Sequence, residues 1–169
     1  SISSITRAMR AGEREGEKYN FITREKFEDM LKNDRLLEHN EFVGNYYGTP
    51  REPVERAVAN GQDMVIEVDV NGAAQIREKM PEAVSIFIMP PSFAELKRRL
   101  SGRGTESEEL IQKRLTSALG EIKRAVEYDY IVVNKDIAAA ADNIMSVILS
   151  SRLKTDRQTQ IIDEVLSEC

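Results

Sequence analysis

The sequence has 169 residues, a formal net charge of −5 and a hydrophobic share of 41%, which together predict one globular domain with a sizeable core. The acidic balance disfavours a nucleic-acid-binding protein, whose contact surface would carry an excess of basic residues. No apolar run approaches membrane-spanning length and no signal-peptide pattern opens the chain, so the sequence predicts no membrane segment.

The first part of the chain predicts short strands separated by polar segments. In chain order these are a strand over residues 1–6, a polar loop over 7–18, a strand over 19–22, an extended segment over 36–42 and a glycine–tyrosine turn over 44–48. Thr23 predicts the N-cap of a helix between the second strand and the extended segment, because its hydroxyl can accept a hydrogen bond from the first helical turn.

The chain changes character after residue 63. Residues 64–70, 84–89 and 130–133 are nearly continuous apolar runs, which predict strands of a parallel sheet covered on both faces. Strands that alternate with helices predict an α/β doubly wound architecture, with residues 7–60 as an insertion that has short strands of its own. The predicted helices lie at residues 72–79, 92–100, 106–127, 137–153 and 156–167.

Arg7 and Arg10 leave the first strand three positions apart, close to several hydroxyls. Arginine presents paired donors that match phosphate oxygens, so two arginines together indicate a phosphate site. Tyr19, Tyr46 and Tyr47 also lie in this insertion, although each could instead be a buried core tyrosine. The alternative for the arginines is an ordinary solvated loop.

Glu38 follows two leucines in the extended segment. Its carboxylate could accept two hydrogen bonds from the Watson–Crick edge of guanine, a pair of donors that adenine lacks. A site built on such hydrogen bonds can discriminate by factors of about 10⁴ or more. The alternative is an exposed glutamate at the end of a strand.

Glu67 and Asp69 lie two residues apart on a predicted strand, so both side chains leave the same face. They come near its carboxyl end, where ligands gather in open α/β sheets. Two carboxylates on an apolar strand are costly unless a cation or hydrogen-bond donors meet them. The pair therefore predicts contact with a metal ion and its waters, or with a nucleotide.

Arg99 and Arg103 are four residues apart, and Arg114 follows on the next predicted helix. They predict a mobile cationic lid that closes over phosphates during transfer, a chemistry in which positioning and charge stabilisation dominate. The alternative is a solvated basic helix face.

The sequence has one histidine, His39, and one cysteine, Cys169. A zinc site or a Ser-His triad therefore has little support. An internal disulfide is impossible with a single cysteine, which favours a reducing compartment.

These motifs resemble the guanylate kinase family along most of the chain, with the similarity thinning after about Leu153. The N-terminal motif is Ser3-x-x-x-Arg7-x-x-Arg10-x-Gly12-Glu13-x-x-Gly16-x-x-Tyr19-x-Phe21. Further matches are Glu38, Gly44-Asn45-Tyr46-Tyr47-Gly48-Thr49, Glu67-Val68-Asp69-Val70-Asn71-Gly72, Pro90-Pro91-Ser92, Arg103-Gly104-Thr105 and Tyr128-Asp129-Tyr130-Ile131-Val132-Val133-Asn134. The combination is specific to this family, whereas each motif alone is weak.

The resemblance implies a P-loop nucleoside-monophosphate-kinase-like α/β fold that transfers the γ-phosphoryl group of ATP to GMP or dGMP, with Mg²⁺. It implies a core of residues 1–6, 61–95 and 119–169, a GMP-binding insertion of residues 7–60 and a lid of residues 96–118. GMP and ATP are the implied partners, in the cytoplasm, without nucleic acid or membrane, and a homo-oligomer is compatible with it.

The resemblance also implies a role for each candidate residue. The GMP phosphate would be held by Arg7, Arg10, Tyr19 and Tyr47. Guanine would be recognised by Glu38 with Ser3, Thr49 and Glu67 nearby. Asp69 would lie near the transferring phosphates and reach Mg²⁺ through water. The lid cations would be Arg99, Arg103 and Arg114, and Asn134 would lie beside adenine.

The sequence departs from the family at two points. Met9 stands where the family usually has proline between the two arginines. No G-x-x-x-x-G-K-[ST] phosphate loop occurs, and because the family has this loop upstream of the position of Ser1, we expect the natural protein to have a further N-terminal segment. A chain without that segment is expected to expose apolar surface.

Two other functions are compatible with the sequence. One is a catalytically dead guanylate-kinase-like module that binds phosphorylated peptides, which the missing phosphate loop favours. Against it stand Glu38, Asp69, the lid arginines and Asn134, which a peptide-binding module would not need together. The other is a kinase for a different nucleoside monophosphate, against which Glu38 speaks.

Overall fold

The structure is a computed structural model that describes residues 1–101 and 108–168. The chain forms two compact units, Ser1–Ala83 (unit 1) and Val84–Cys169 (unit 2). Among the described residues, no helix is both long enough and apolar enough to cross a membrane.

Unit 1 is built around one four-stranded sheet. Its elements are β1 (Ser3–Ile5), β2 (Tyr19–Phe21), α1 (Arg24–Lys32), β3 (Leu36–Phe42), β4 (Asn45–Pro50), α2 (Arg51–Ala59) and α3 (Val70–Lys79). The strand order is β2-β1-β4-β3, with β1 parallel to β2 and antiparallel to β4. The sheet therefore brings the first strand of the chain beside the β3–β4 hairpin.

The predicted cap of α1 is confirmed, because the Thr23 side chain accepts a hydrogen bond from the backbone N–H of Lys26 at 3.2 Å. The turn predicted at residues 44–48 is wrong in its extent. Val43 and Gly44 alone connect β3 to β4, with φ angles of 49° and 72°. Two successive positive φ angles are what a tight two-residue hairpin requires, so the following tyrosines belong to β4.

The strand predicted over residues 64–70 is wrong. The segment has no strand partner in the described chain, and Val70 already begins α3. Its side chains nevertheless alternate as in a strand: Met64, Ile66 and Val68 pack on the core, whereas Val65 is 64% exposed. An apolar run predicts an extended chain, but a strand also needs a hydrogen-bonded neighbour.

The core of unit 1 lies between the sheet and its helices. Ile5, Phe27, Leu36 and Leu37 are each 1% exposed or less. A second group of buried side chains, Leu37, Val54 and Ile76, joins β3 to α2 and α3. Full burial of one such side chain contributes about 1.5–3 kcal/mol, so this packing holds α3 firmly against β3.

Unit 2 is built around two parallel strands. Its elements are β5 (Ile86–Met89), α4 (Phe93–Ser101), α5 (Glu108–Lys123), a 3₁₀ turn (Arg124–Glu127), β6 (Tyr130–Val133), α6 (Ile137–Arg152), a second 3₁₀ turn (Thr155–Arg157) and α7 (Thr159–Ser167). Ile86 pairs with Tyr130 and Met89 with Val133. The Asp129 carboxylate accepts both the N–H and the hydroxyl of Ser85 at 2.7 Å, which fixes this register.

The predicted strands and helices of unit 2 are confirmed to within a few residues where the structure describes them, whereas residues 106 and 107 of the helix predicted over 106–127 lie outside the described residues. The expectation that its strands are covered on both faces is wrong, since Ile88, Ile131 and Val133 are 45%, 50% and 48% exposed. In the described chain, β5 and β6 form a two-stranded sheet. A continuous apolar run does not reveal which face is covered.

Candidate functional site

A cleft of about 340 Å³ opens on unit 1, along the face of the sheet. The side chains that line it come from four of the strands and from the extended segment before α3. They are Ser3, Tyr19, Glu38, Asn40, Phe42, Tyr47, Gly48, Glu67, Val68 and Asp69. Six predicted site residues therefore meet in one place, although they span the sequence from position 3 to position 69.

Glu38 lies on β3 and is only 6% exposed. Its Oε1 accepts a hydrogen bond of 2.7 Å from the hydroxyl of Thr49, its cross-strand partner on β4. Burial raises the pKa of the Glu38 carboxyl, and the negative charge of Asp69 adds to this effect. The cleft is thus lined by a buried carboxylate that accepts a hydrogen bond from the Thr49 hydroxyl through Oε1.

Two glycines leave room for this carboxylate. A Cβ atom at Gly72 on α3 would lie 3.0 Å from Glu38 Oε2, and one at Gly48 on β4 would lie 2.8 Å from the Glu38 backbone oxygen. Real Cβ atoms are rarely found at such distances. Both glycines are therefore required for the close approach of α3 and β4 to Glu38.

Asp69 is the N-cap of α3. Its Oδ1 accepts the backbone N–H groups of Asn71 at 3.0 Å and Gly72 at 2.8 Å, and its Oδ2 accepts the side-chain amide of Asn40 at 2.6 Å. The negative charge also interacts favourably with the start of the helix dipole. Glu67 lies two residues earlier in the extended segment, exposed at the same cleft.

Two residues that hold this arrangement were missed from the sequence. Gln75 on α3 bonds both backbone groups of His39: its Oε1 accepts the N–H at 3.1 Å and its Nε2 donates to the carbonyl at 2.9 Å. Asn40 has a signal in the sequence, since it lies two residues after Glu38 and alternation puts both on one strand face. Nothing in the sequence marks Gln75.

Arg7 lies beyond β1, next to two aromatic rings of β2. Its Nη1 and Nη2 donate to the two carboxylate oxygens of Glu13 at 2.7 and 2.5 Å, and its guanidinium carbon is 5.4 Å from the Tyr19 ring centre and 5.5 Å from that of Phe21. The hydrogen bonds from Arg7, and then the backbone N–H of Arg10, lower the pKa of Glu13 from 4.5 to about 2. The sequence motif includes Glu13, but not its contact with Arg7.

The pairing of the strands sets the positions of further residues that were predicted to bind the ligand. Ser3 pairs with Tyr19, and Tyr47 lies opposite both Ile5 and Asn40. Tyr47 also interacts electrostatically with Arg7, whose pKa it helps to raise after the larger effect of Glu13. Arg10 is exposed in the loop and its backbone N–H donates to Glu13 at 2.7 Å.

Tyr46 has a structural role. Its ring stacks on Phe27, with 5.2 Å between ring centres, and its hydroxyl accepts a hydrogen bond of 2.6 Å from Arg24. Tyr46 therefore packs on a core residue, although it is itself half-buried and not the fully buried tyrosine of the alternative.

Unit 2 contains the predicted lid and adenine-side residues. Arg99 on α4 donates to Glu95 at 2.7 Å and to the backbone oxygen of Asn134, just after β6, at 2.9 Å. Arg98 also donates to Glu95, and the two arginines lower the pKa of Glu95 from 4.5 to about 2. Arg114 lies half-buried on α5, and Arg103 lies outside the described residues.

The geometry of unit 1 suits a ligand with two unlike ends. At one end a buried carboxylate accepts hydrogen bonds, and at the other Arg7 and two tyrosine hydroxyls offer donors. A planar base with N–H groups fits the first end and a phosphate fits the second. These features define an α/β protein with a cleft for a nucleotide-like ligand.

Comparisons with known proteins agree with this class. The family model for guanylate kinase matches residues 1–151. Guanylate kinases of Salmonella paratyphi A and Escherichia coli K12 are 48% and 47% identical to this chain over 168 residues, which is 99% of this chain and 81% of theirs. The crystal structure of guanylate kinase from Anaplasma phagocytophilum superimposes with a TM-score of 0.78 at 41% identity, covering 93% of this chain and 77% of that one.

The chain belongs to the guanylate kinase family, and it has the nucleoside-monophosphate-kinase-like α/β fold of that family. It is accordingly a phosphotransferase that uses ATP to phosphorylate GMP.

Proposed function

We propose that the cleft of unit 1 binds GMP in one orientation, with guanine at Glu38 and the phosphate at Arg7, and presents that phosphate to ATP. The observation that supports this most strongly is the buried Glu38 carboxylate, whose Oε1 has a hydroxyl donor while Oε2 faces Gly72. A buried carboxylate without sufficient donors is costly, and the N–H groups of guanine would supply them. Ser3, Thr49 and Glu67 complete this end.

The phosphate end is formed by Arg7, Arg10, Tyr19 and Tyr47. Both terminal nitrogens of Arg7 donate hydrogen bonds to Glu13, which fixes the orientation of the guanidinium. The guanidinium has five N–H donors, so it can hold Glu13 and still donate to a phosphate oxygen. Tyr47 and Tyr19 flank it with hydroxyls that can donate to the same phosphate.

In the proposed reaction, an oxygen of the GMP phosphate attacks the γ-phosphorus of ATP, the bond to the bridging oxygen of ADP breaks, and GDP and ADP leave. The attacking phosphate is already anionic, so no general base is needed. The protein must align the two phosphates and stabilise the negative charge that spreads over the transferring group. We assign this stabilisation to Arg99, Arg114 and Arg103 from the lid, and the adenine contact to Asn134.

Mg²⁺ is proposed to arrive with ATP. Among the described residues there is no group of three or more His, Cys, Asp or Glu side chains that could hold a metal ion. Both oxygens of Asp69 already accept hydrogen bonds, so its exposed carboxylate fits the water shell of the ion better than direct coordination. Mg²⁺ typically keeps several waters and binds one or two carboxylates together with substrate phosphates, and there it neutralises charge.

We further propose that residues 7–60 act as the GMP-binding insertion, residues 96–118 as the lid and residues 1–6, 61–95 and 119–169 as the core, which close on one another to exclude water. Cytoplasmic nucleotide metabolism is the proposed setting, since the chain belongs to the guanylate kinase family and its one cysteine cannot form an internal disulfide.

The test is an assay of ADP formation by the full-length natural protein with a series of acceptors at saturating ATP and Mg²⁺. GMP is expected to be the preferred acceptor, IMP, which lacks the 2-amino group, a poorer one, and AMP the poorest. Equal rates with AMP and GMP would contradict the assignment of Glu38 to guanine. GMP binding without turnover would instead favour a binding module.

A further inference from the structure

One face of α3 carries two long polar side chains, Gln75 and Lys79, that bond the backbone of β3. The two residues are four positions apart and therefore lie on the same side of the helix. Gly72, which lies three positions before Gln75, belongs to this side as well and is the point where α3 comes closest to the Glu38 carboxylate. Neither Gln75 nor Lys79 has a part in the functions proposed so far.

These side chains bond the outer edge of the sheet. In the described chain β3 is an edge strand, with β4 as its neighbour on one side. On the other side Gln75 takes the place of a strand at His39, because its Oε1 accepts the backbone N–H at 3.1 Å and its Nε2 donates to the carbonyl at 2.9 Å. Lys79 Nζ donates to the carbonyl of Leu36 at 2.8 Å. The bonds from α3 therefore fall on both sides of Glu38.

The strand is irregular where α3 bonds it. Leu36 pairs with Pro50 and Glu38 with Thr49, so β3 has one residue more than β4 in this interval. Such a bulge interrupts the regular hydrogen bonds between two strands and changes the direction of the side chains beside it. Regular pairing with β4 is thus interrupted next to Glu38, and the bonds from Gln75 constrain the backbone there.

We propose that Gln75 is a positioning residue that holds the Glu38 carboxylate in place for the N–H edge of guanine, so that it contributes to GMP affinity and to guanine selectivity and not to kcat. This inference rests on the function proposed for the cleft. Its physical basis is that hydrogen bonds weaken steeply when the backbone beside the acceptor shifts and their angle leaves its optimum. The alternative is that Gln75 only covers an exposed strand edge, in which case its loss would change stability alone.

The experiment compares Gln75→Met, Gln75→Glu, Glu38→Gln and the double variant Glu38→Gln/Gln75→Met with the wild type of the full-length protein. Methionine is similar in length to glutamine and makes neither bond to His39, whereas glutamate keeps the acceptor and loses the donor. Both are good helix formers, so α3 itself should persist. Steady-state kinetics at saturating ATP give kcat and KM for GMP and for IMP, and thermal unfolding checks the fold.

Gln75→Met is expected to raise KM for GMP about tenfold while kcat changes less than about twofold. IMP lacks the 2-amino group and has fewer hydrogen bonds to Glu38 to lose, so its KM should rise less and the preference for GMP over IMP should fall about threefold. Gln75→Glu should lie between Gln75→Met and the wild type.

Two further comparisons separate positioning from a general effect. In the Glu38→Gln background, Gln75→Met should have little further effect on kcat/KM for GMP, because residues that act as one unit have non-additive effects. The matched control is Gln158→Met in unit 2, which removes another hydrogen bond from a glutamine amide to a backbone carbonyl, that of Arg152 at 2.8 Å. It should leave KM for both acceptors unchanged.

Three results would overturn the inference: an unchanged KM for GMP in Gln75→Met, equal rises in KM for GMP and IMP, or an undiminished effect of Gln75→Met in the Glu38→Gln background. If Gln75→Met does not fold, the first two comparisons are decided with Gln75→Glu. A wild-type protein that does not phosphorylate GMP would overturn the proposed function itself, and the inference with it.

Discussion

The two units place a glutamate in opposite environments. Glu38 in unit 1 is 6% exposed with a hydroxyl donor, and burial raises its pKa. Glu95 in unit 2 receives hydrogen bonds from Arg98 and Arg99, which lower its pKa to about 2. The first carboxylate accepts a hydrogen bond from a neutral hydroxyl, whereas the second accepts hydrogen bonds from two cations.

This contrast assigns different tasks to the two units. The base end of the cleft in unit 1 is pre-formed, since Glu38 is held by the sheet and enclosed by glycines. Arg99 in unit 2 is held by Glu95 and by the backbone at Asn134, which use two of its five N–H donors. In the function proposed above, unit 1 would supply acceptor recognition, and α4 would supply a cation whose present partners already orient it.

The largest expected effect comes from Glu38→Gln. The new amide would present N–H donors to the N–H donors of guanine, so kcat/KM for GMP should fall roughly 1,000-fold. The measurement is the initial rate of GDP formation over a range of GMP concentrations. Glu41→Gln, on the opposite face of the same strand, is the matched control and should retain wild-type kinetics. Similar losses of kcat/KM in both variants would show that substitutions on β3 damage the fold in general, and would contradict a specific contact between Glu38 and guanine.

Arg7→Lys tests the phosphate end. Lysine keeps the positive charge but loses the planar fork that bonds Glu13, so KM for GMP should rise about 10- to 100-fold while the fold survives. Arg14→Lys is the control in the same loop, since the side chain of Arg14 is 80% exposed. If Arg7→Lys leaves KM unchanged, the phosphate binds elsewhere.

Most of the elements, and six of the residues that line the cleft, were predicted from the sequence, but Asn40 was not. Glu38 was indicated by its place after two leucines, Asp69 by its spacing from Glu67, and Tyr47 by the family's motif. The bidentate contact of Glu13 and the side-chain bridge of Gln75 were not predictable, because they depend on how a loop and a helix approach a sheet. The strand predicted over residues 64–70 was wrong for the same reason: apolar periodicity gives the face of a segment but not its partner.

Gly72 in unit 1 and Gly120 in unit 2 differ in how closely other atoms pack around them. Gly72→Ala would press a methyl group against Glu38 and Val68, so the free energy of unfolding should fall by about 1–3 kcal/mol, with weaker GMP binding. Gly120→Ala on α5 meets nothing within 4 Å and should raise the free energy of unfolding by about 0.5–1 kcal/mol. Chemical denaturation measures both. A stabilising Gly72→Ala would mean that α3 does not pack closely on Glu38.

The smallest expected effect concerns acid stability. Because the pKa of Glu95 is lowered from 4.5 to about 2, the folded state binds fewer protons at this group than the unfolded state. Its contribution to stability is therefore complete above about pH 4.5 and is lost as the pH falls towards 2. Glu95→Gln should show a shallower loss of stability in that range, measured by thermal unfolding against pH.

The control for acid stability is Glu121→Gln, which removes the same charge from an exposed position on α5. An identical pH profile for Glu95→Gln and the wild type would contradict the ion pairs of α4.

The most direct test of the central claim is a crystal structure of the full-length protein with GMP. The account predicts the N–H edge of guanine within hydrogen-bond distance of the Glu38 carboxylate, and the phosphate in contact with Arg7 and Tyr47. GMP bound in the reverse orientation, or a guanine edge that does not contact Glu38, would contradict it.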